Sequence, residues 1–317
     1  MSRLRLTLIT ALLAALLAVP AAQAKTHVAV AIGDQSPAMF KQKNFKALKI
    51  KKARYFMAWD AAKHGYALRA ADAYVKAANK AHVRVLIHIS TNNYGHYKAK
   101  LPSVAAYKKY VGKLIKRYRK MGVKEWGVWN EANHISEPTW KSPQRAAQYF
   151  HAMRGMCKGC TIVALDLLDQ AGTKKYSTRT YIAKFFGALS RSDRAAVKYV
   201  GIHNYEDTNR HRSSGTRRIL AAVRSHNSRT KFWFTETGGI VRLGKSFKCS
   251  TNRASNAIKY MFSLAHRFRH DVSRLYVYSW FGTKPSCGQF DAGLVNANGK
   301  PRKGYATLKR LARSYDR

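Results

Sequence analysis

Runs rich in Val, Ile, Tyr, Phe and Trp recur along this chain, and most are followed by a stretch whose apolar positions step by three and four. The first pattern suits buried strands and the second suits amphipathic helices. The runs cover His27 to Asp34, Ala53 to Asp60, Val83 to Ile89, Glu125 to Glu131, Thr161 to Asp166, Tyr199 to Tyr205, Lys231 to Glu236 and Arg274 to Trp280. Helical spacing predicts Leu68 to Ala81, Ser103 to Met121, Ser142 to Met156, Ser177 to Leu189, Gly215 to Ser225, Asn252 to Phe268 and Gly304 to Ala312. In the second of these stretches Val104, Tyr107, Val111, Leu114, Ile115 and Tyr118 mark one face. Regular βα alternation without a linker implies a parallel sheet covered by helices. Eight such units predict a single (β/α)₈ barrel over residues 25–317. An open doubly wound sheet is the competitor, but no G-x-G-x-x-G follows the first strand and no Walker loop occurs.

Residues 1–24 stand apart from this pattern. Arg3 and Arg5 precede an apolar run from Leu6 to Val19, then Pro20 and the small-residue pattern Ala22-Gln23-Ala24, the layout of a secretory signal peptide. The run is shorter than the ~20 residues of a spanning helix. The expected mature chain starts near Lys25, is secreted or extracellular with cell-surface or periplasmic retention as variants, and has no transmembrane segment.

Four cysteines suit an oxidising destination. The pair Cys157 and Cys160 has no second C-x-x-C to complete a zinc site, so disulfides are the better reading. The closeness of that pair argues for Cys157 with Cys160, which leaves Cys249 with Cys287.

Charge changes the picture further. The chain carries 59 Lys and Arg against 15 Asp and Glu, a net charge of +44, of which Arg3 and Arg5 account for two. Such a field attracts anionic polymers and surfaces without specificity; a dispersed solubilising surface, with Lys108, Lys109, Lys113, Lys116 and Arg117 on one helix, explains it equally well. No helix-turn-helix, zinc finger or RNA-binding motif appears, so no specific nucleic acid is expected. Of the scarce acids, Asp34, Asp60, Glu131, Asp166, Asp169, Glu206, Asp207 and Glu236 fall at or near predicted strand C-termini, the face where barrel active sites form.

Two of these strand ends read Gly127-Val128-Trp129-Asn130-Glu131-Ala132-Asn133 and Phe232-Trp233-Phe234-Thr235-Glu236-Thr237-Gly238. A glutamate ending an aromatic-rich buried strand suffers desolvation and suits a proton donor or nucleophile; a structural carboxylate paired to Arg or Lys fits either one taken alone. Together they resemble the clan A superfamily of retaining glycoside hydrolases on (β/α)₈ barrels, in which Asn-Glu ends strand four and a second Glu ends strand seven. His203-Asn204-Tyr205, Trp280 and the stretch Gly293-Leu294-Val295 to Pro301 extend the likeness, while Ala132 departs from the Pro that many members carry.

The resemblance implies Glu131 as acid/base, its pKa raised by nearby negative charge, and Glu236 as nucleophile with Arg54 to hold it ionised. It implies substrate binding by Asn130, Arg54, His203, Tyr205 and Trp280, with Asn130 on a sugar hydroxyl, Tyr205 on the nucleophile and Trp280 as a sugar platform. Strict strand alternation would turn Asn130 and Glu131 to opposite faces. His88, Trp59 and Asp60 fit hydrogen-bonding or packing roles, and Trp129 and Trp233 fit barrel packing. The implied activity is hydrolysis of a poly- or oligosaccharide without cofactor or metal. A non-catalytic carbohydrate-binding barrel and a transglycosylase acting on cell-wall or acidic glycan are the alternatives.

Overall fold

The computed structural model describes residues 26–93, 99–172 and 177–317; the expected signal peptide lies outside them. Eight parallel strands form the barrel: β1 (Thr26–Gly33), β2 (Lys52–Ala58), β3 (Arg84–Ser90), β4 (Glu125–Gly127), β5 (Thr161–Leu168), β6 (Tyr199–His203), β7 (Lys231–Thr237) and, after a two-residue strand β8 (Arg242–Leu243), β9 (Val272–Tyr278). They pair in sequence order, and β9 closes on β1 with Ala29 opposite Arg274 through Gly33 opposite Tyr278. β10 (Phe290–Asp291) pairs antiparallel with β8 outside the barrel, and β11 (Tyr315–Asp316) edges β1.

Among the described residues ten α-helices accompany the strands: α1 (Lys43–Ala47), α2 (Gly65–Lys80), α3 (Val104–Arg119), α4 (Pro143–Met156), α5 (Thr178–Gly187), α6 (Arg191–Ala195), α7 (Tyr205–Asn209), α8 (Ser214–Arg224), α9 (Thr251–Arg267) and α10 (Lys303–Leu311). Their starts have local causes. Ser103, Ser177 and Ser250 accept backbone N–H groups of the first turns of α3, α5 and α9, satisfying donors a helix leaves unpaired. Tyr107, Val111, Leu114, Ile115 and Tyr118 of α3 are buried against the barrel wall, as their spacing predicts.

Most of the apolar core lies between barrel and helices. Inside the barrel a layer of Ala31, Leu86, Val163, Trp233 and Tyr276 fills the middle, so the barrel is solid below its mouth. Among the described residues no helix is long and apolar enough to cross a membrane.

Several predicted boundaries move: β2 ends at Ala58 and not Asp60, and β5 runs on past Asp166 to Leu168. The regular part of the fourth strand ends at Gly127, although Val128, Asn130 and Ala132 go on donating backbone hydrogen bonds alternately to β5, β3 and β5. β6 ends at His203, and Tyr205 starts α7. The last barrel strand stops at Tyr278, ahead of a cis peptide to Ser279. α1, α6 and α7 were not foreseen, being too short for a helical period to show.

Candidate active site

Above the apolar plug the barrel mouth is filled by charge. Arg54 of β2 is 1% exposed, and its guanidinium works in several directions. Nε donates to His88 Nδ1 (2.9 Å), Nη1 to Glu236 Oε2 (2.7 Å) and Nη2 to Asn130 Oδ1, with Asp166 Oδ2 3.5 Å from Nη2. Asp166 of β5 accepts from Thr235 and lies 2.9 Å from His203 Nε2 and 3.3 Å from His88 Nε2. Both nitrogens of the buried His203 ring face carboxylates, since Nδ1 is 2.9 Å from Glu131 Oε1 and 3.8 Å from Glu236 Oε2. Tyr205 donates its hydroxyl to Glu236 Oε1 at 3.0 Å.

Small residues make room for this network. A Cβ on Gly127 would stand 1.7 Å from His88, and one on Gly201 1.9 Å from Asp166 Oδ1. Nothing larger than glycine fits either strand position while the charged side chains stay where they are.

Burial then sorts the protonation states. Burial alone would push Asp166 up, but His203, His88 and Arg54 hold it well below the carboxylate range. Desolvation opposes charge on His203, yet Asp166, Glu236 and Glu131 outweigh it and push the imidazole up to about 10. His88 goes the other way, to about 3, because burial is reinforced by Arg54 and His203 against Asp166 alone. With Nδ1 accepting from Arg54, His88 is a neutral imidazole protonated on Nε2. Glu131 is lowered despite desolvation, because His203 donates to it and His134 adds positive charge. This corrects the expected rise, which counted the nearby carboxylates and missed the imidazolium between them.

Asn130 and Glu131 reach the same cluster. The backbone explains it: Glu131 sits at φ 42°, a left-handed conformation costly for a residue with a side chain, which breaks the strand alternation.

Other assignments change. Trp280 is fully buried, set edge-on against Phe45 and Tyr305, so it offers no face to a sugar. Arg54 and His203, expected to bind substrate, are instead buried and face the carboxylates of Glu236, Asp166 and Glu131. Trp59 and Asp60 lie buried away from the cluster, and Trp129 packs with Tyr107 and Tyr149 while donating to Glu137. Trp233 packs inside the barrel under the Arg274 guanidinium.

Sequence reasoning missed the central role of Asp166, although its place among few strand-end acids was a signal. It also missed the aromatic rim. Tyr278 and Phe290 stack at 6.4 Å, Phe56 approaches Tyr278 at 6.2 Å, and Phe290 meets Tyr205 edge-on. Phe290 belongs to the β8–β10 pair, tied by the Cys249–Cys287 disulfide; Cys157–Cys160 closes the turn between α4 and β5 at the other end. A cleft of about 620 Å³ opens over both glutamates and runs toward the loops after β5, β6 and β7, past Tyr205, Phe247 and Phe290.

The sequence profile of the family described as glycosyl hydrolase catalytic core matches residues 108–307, well over half of the chain. The chain belongs to the glycosyl hydrolase catalytic core family. It is a glycosidase, and its closed eight-stranded barrel is shared with known glycoside hydrolases. A family 39 glycoside hydrolase from Bacteroides cellulosilyticus WH2 is 13% identical with a TM-score of 0.58, the match covering 91% of this glycosidase and 64% of that chain. This chain therefore spans less than two thirds of that enzyme. A GH5_18 variant from Bifidobacterium longum subsp. longum, in complex with Manβ1-4GlcNAc, is 12% identical with a TM-score of 0.64, covering 91% and 78%. A GH10 structure from Paenibacillus barcinonensis gives 12%, 0.62, 91% and 96%. No curated protein matches the glycosidase in sequence.

Proposed function

We propose that the protein is a secreted retaining O-glycosidase that cleaves a poly- or oligosaccharide, with Glu236 as nucleophile and Glu131 as acid/base. The observation that carries this reading is one imidazole nitrogen lying 2.9 Å from a Glu131 oxygen and 3.8 Å from a Glu236 oxygen. Carboxyl groups bridged so closely suit the ~5–5.5 Å of a retaining pair better than the wider gap that admits a water between an inverting pair.

In the first step Glu236 attacks the anomeric carbon, the glycosidic C–O bond breaks, and the leaving oxygen takes a proton from Glu131. That proton reaches Glu131 from His203 Nδ1 along their hydrogen bond, since the resting pair is carboxylate and imidazolium. In the second step Glu131 takes a proton from water and passes it back to His203 Nδ1, the water oxygen bonds the anomeric carbon, and the ester to Glu236 breaks. Asp166, Glu131 and Glu236 face Arg54 and His203, so three anions meet two cations. The surplus negative charge complements an oxocarbenium-like transition state. The N-terminal layout and two disulfides support secretion.

Activated 2-deoxy-2-fluoro glycosides test the assignment: intact mass should show one glycosyl adduct, mapped to the peptide holding Glu236. Glu236→Ala should abolish turnover and regain part of it with added azide or formate. A panel that yields product of inverted configuration, or an adduct elsewhere, overturns the proposal.

A further inference from the structure

Arg210 stands out in the cleft. It is the only Lys or Arg among the described residues lining it, and it is exposed. Its guanidinium lies 5.1 Å from the Phe247 ring, and it meets no carboxylate among the described residues. Two other arginines nearby are already used. Arg253, on the same ring at 5.0 Å, donates to the backbone oxygens of Lys248, Ile240 and Val241, and Arg212 lies 3.7 Å from Glu206. The acids of that wall are used as well: Asp169 accepts the backbone N–H groups of Glu206 and Asp207, and Glu206 faces Arg212. What the cleft wall offers a ligand is the Arg210 guanidinium, over the Phe247 ring and without a carboxylate partner among the described residues.

The rest of the molecule points the same way. All fifteen acidic residues lie within the described residues, and only Glu206 and Asp316 have side chains more than a third exposed, at 45% and 46%. The others are buried or ion-paired, for example Asp72 with Arg117, Asp193 with Arg154, Asp271 with Arg224 and Asp291 with Arg302. The outer surface is thus nearly all cationic, a field that concentrates polyanions around the cleft.

We infer that the substrate is an acidic glycan, with a sugar beside the reacting one lying along the cleft wall and its anionic substituent paired with Arg210. A guanidinium fork matches a carboxylate or sulfate in two parallel hydrogen bonds, which a hydroxymethyl group in the same position cannot form. This inference rests on the glycosidase reading, and it concerns which glycan enters rather than how the bond breaks.

The test compares uronate-containing polysaccharides with their carboxyl-reduced counterparts, and sulfated polymers with desulfated ones; the first arm reads a carboxylate ligand and the second a sulfate. For the wild-type enzyme kcat/KM should favour the charged member of one pair by about tenfold or more, the factor a charge-assisted pair supplies. In Arg210→Gln that ratio should fall toward one, mainly through KM, and Arg210→Lys should restore part of it. Arg119→Gln, a charge lost from the outer helix α3, should leave the ratio unchanged. Equal or faster cleavage of neutral polymers by the wild-type enzyme overturns the inference, as does a ratio that persists in Arg210→Gln. In both cases turnover itself leaves the glycosidase reading intact. If neither polymers nor activated aryl glycosides are cleaved and no adduct forms on Glu236, the glycosidase reading fails first and this one falls with it.

Discussion

His203 is where charge, stability and chemistry meet. Its ring binds a proton far more tightly in the folded chain, near 10, than the ordinary imidazole value of about 6.5. The stabilisation it supplies is therefore complete below about pH 6.5 and is lost as pH rises toward 10. His203→Gln should lower stability at pH 7, and the gap to the wild type should close as pH approaches 10, read by urea melts across that range. A gap independent of pH would mean the ring matters only for packing. The glycines under the network are equally exacting. Gly127→Ala and Gly201→Ala force a methyl into His88 and Asp166, and each should cost about 3 kcal/mol or more by overpacking, with turnover lost too. Calorimetry and kinetics on the two variants check this. At this scale Glu131 and Glu236 were legible because acids are rare and these two end aromatic strands. Trp280 was misassigned because the packing that buries its ring against Phe45 and Tyr305 joins distant parts of the chain and leaves no local pattern, and Glu131's charge state was misjudged because it depends on an imidazole seventy-two positions away.

Among the elements, the barrel strands were readable since each is a buried run and a closed parallel barrel needs eight of them. The short pieces were not. β8 and β10 have two residues each, too few for any pattern, yet they carry the wall of the cleft that holds Phe290. Their anchor is the Cys249–Cys287 bond, which closes a loop with a sequence separation of 38. Loop-closure entropy assigns such a bond about 3–4 kcal/mol. Replacing both cysteines by serine should lower Tm accordingly and raise KM more than it changes kcat, because an untied wall must be ordered when substrate binds. An unchanged KM would make the bond a fold staple alone. Cys157–Cys160, closing a much shorter loop, should matter far less.

For the whole molecule the dominant fact is unbalanced charge. With 59 basic against 15 acidic residues, self-repulsion opposes the compact state. Adding salt from about 10 mM to about 150 mM shortens the Debye length from ~30 Å to ~8 Å, so Tm should rise over that interval in calorimetry. A falling Tm would show that the ion pairs inside the fold outweigh the repulsion outside it. The consumption of nearly every carboxylate by the fold has one more consequence. The exterior keeps too few carboxylates to offset its lysines and arginines, so the sign of its charge is set by composition. In contact with an oppositely charged matrix the protein behaves as a colloid of fixed sign. How firmly it adheres is then governed by the titration of the matrix and the ions around it.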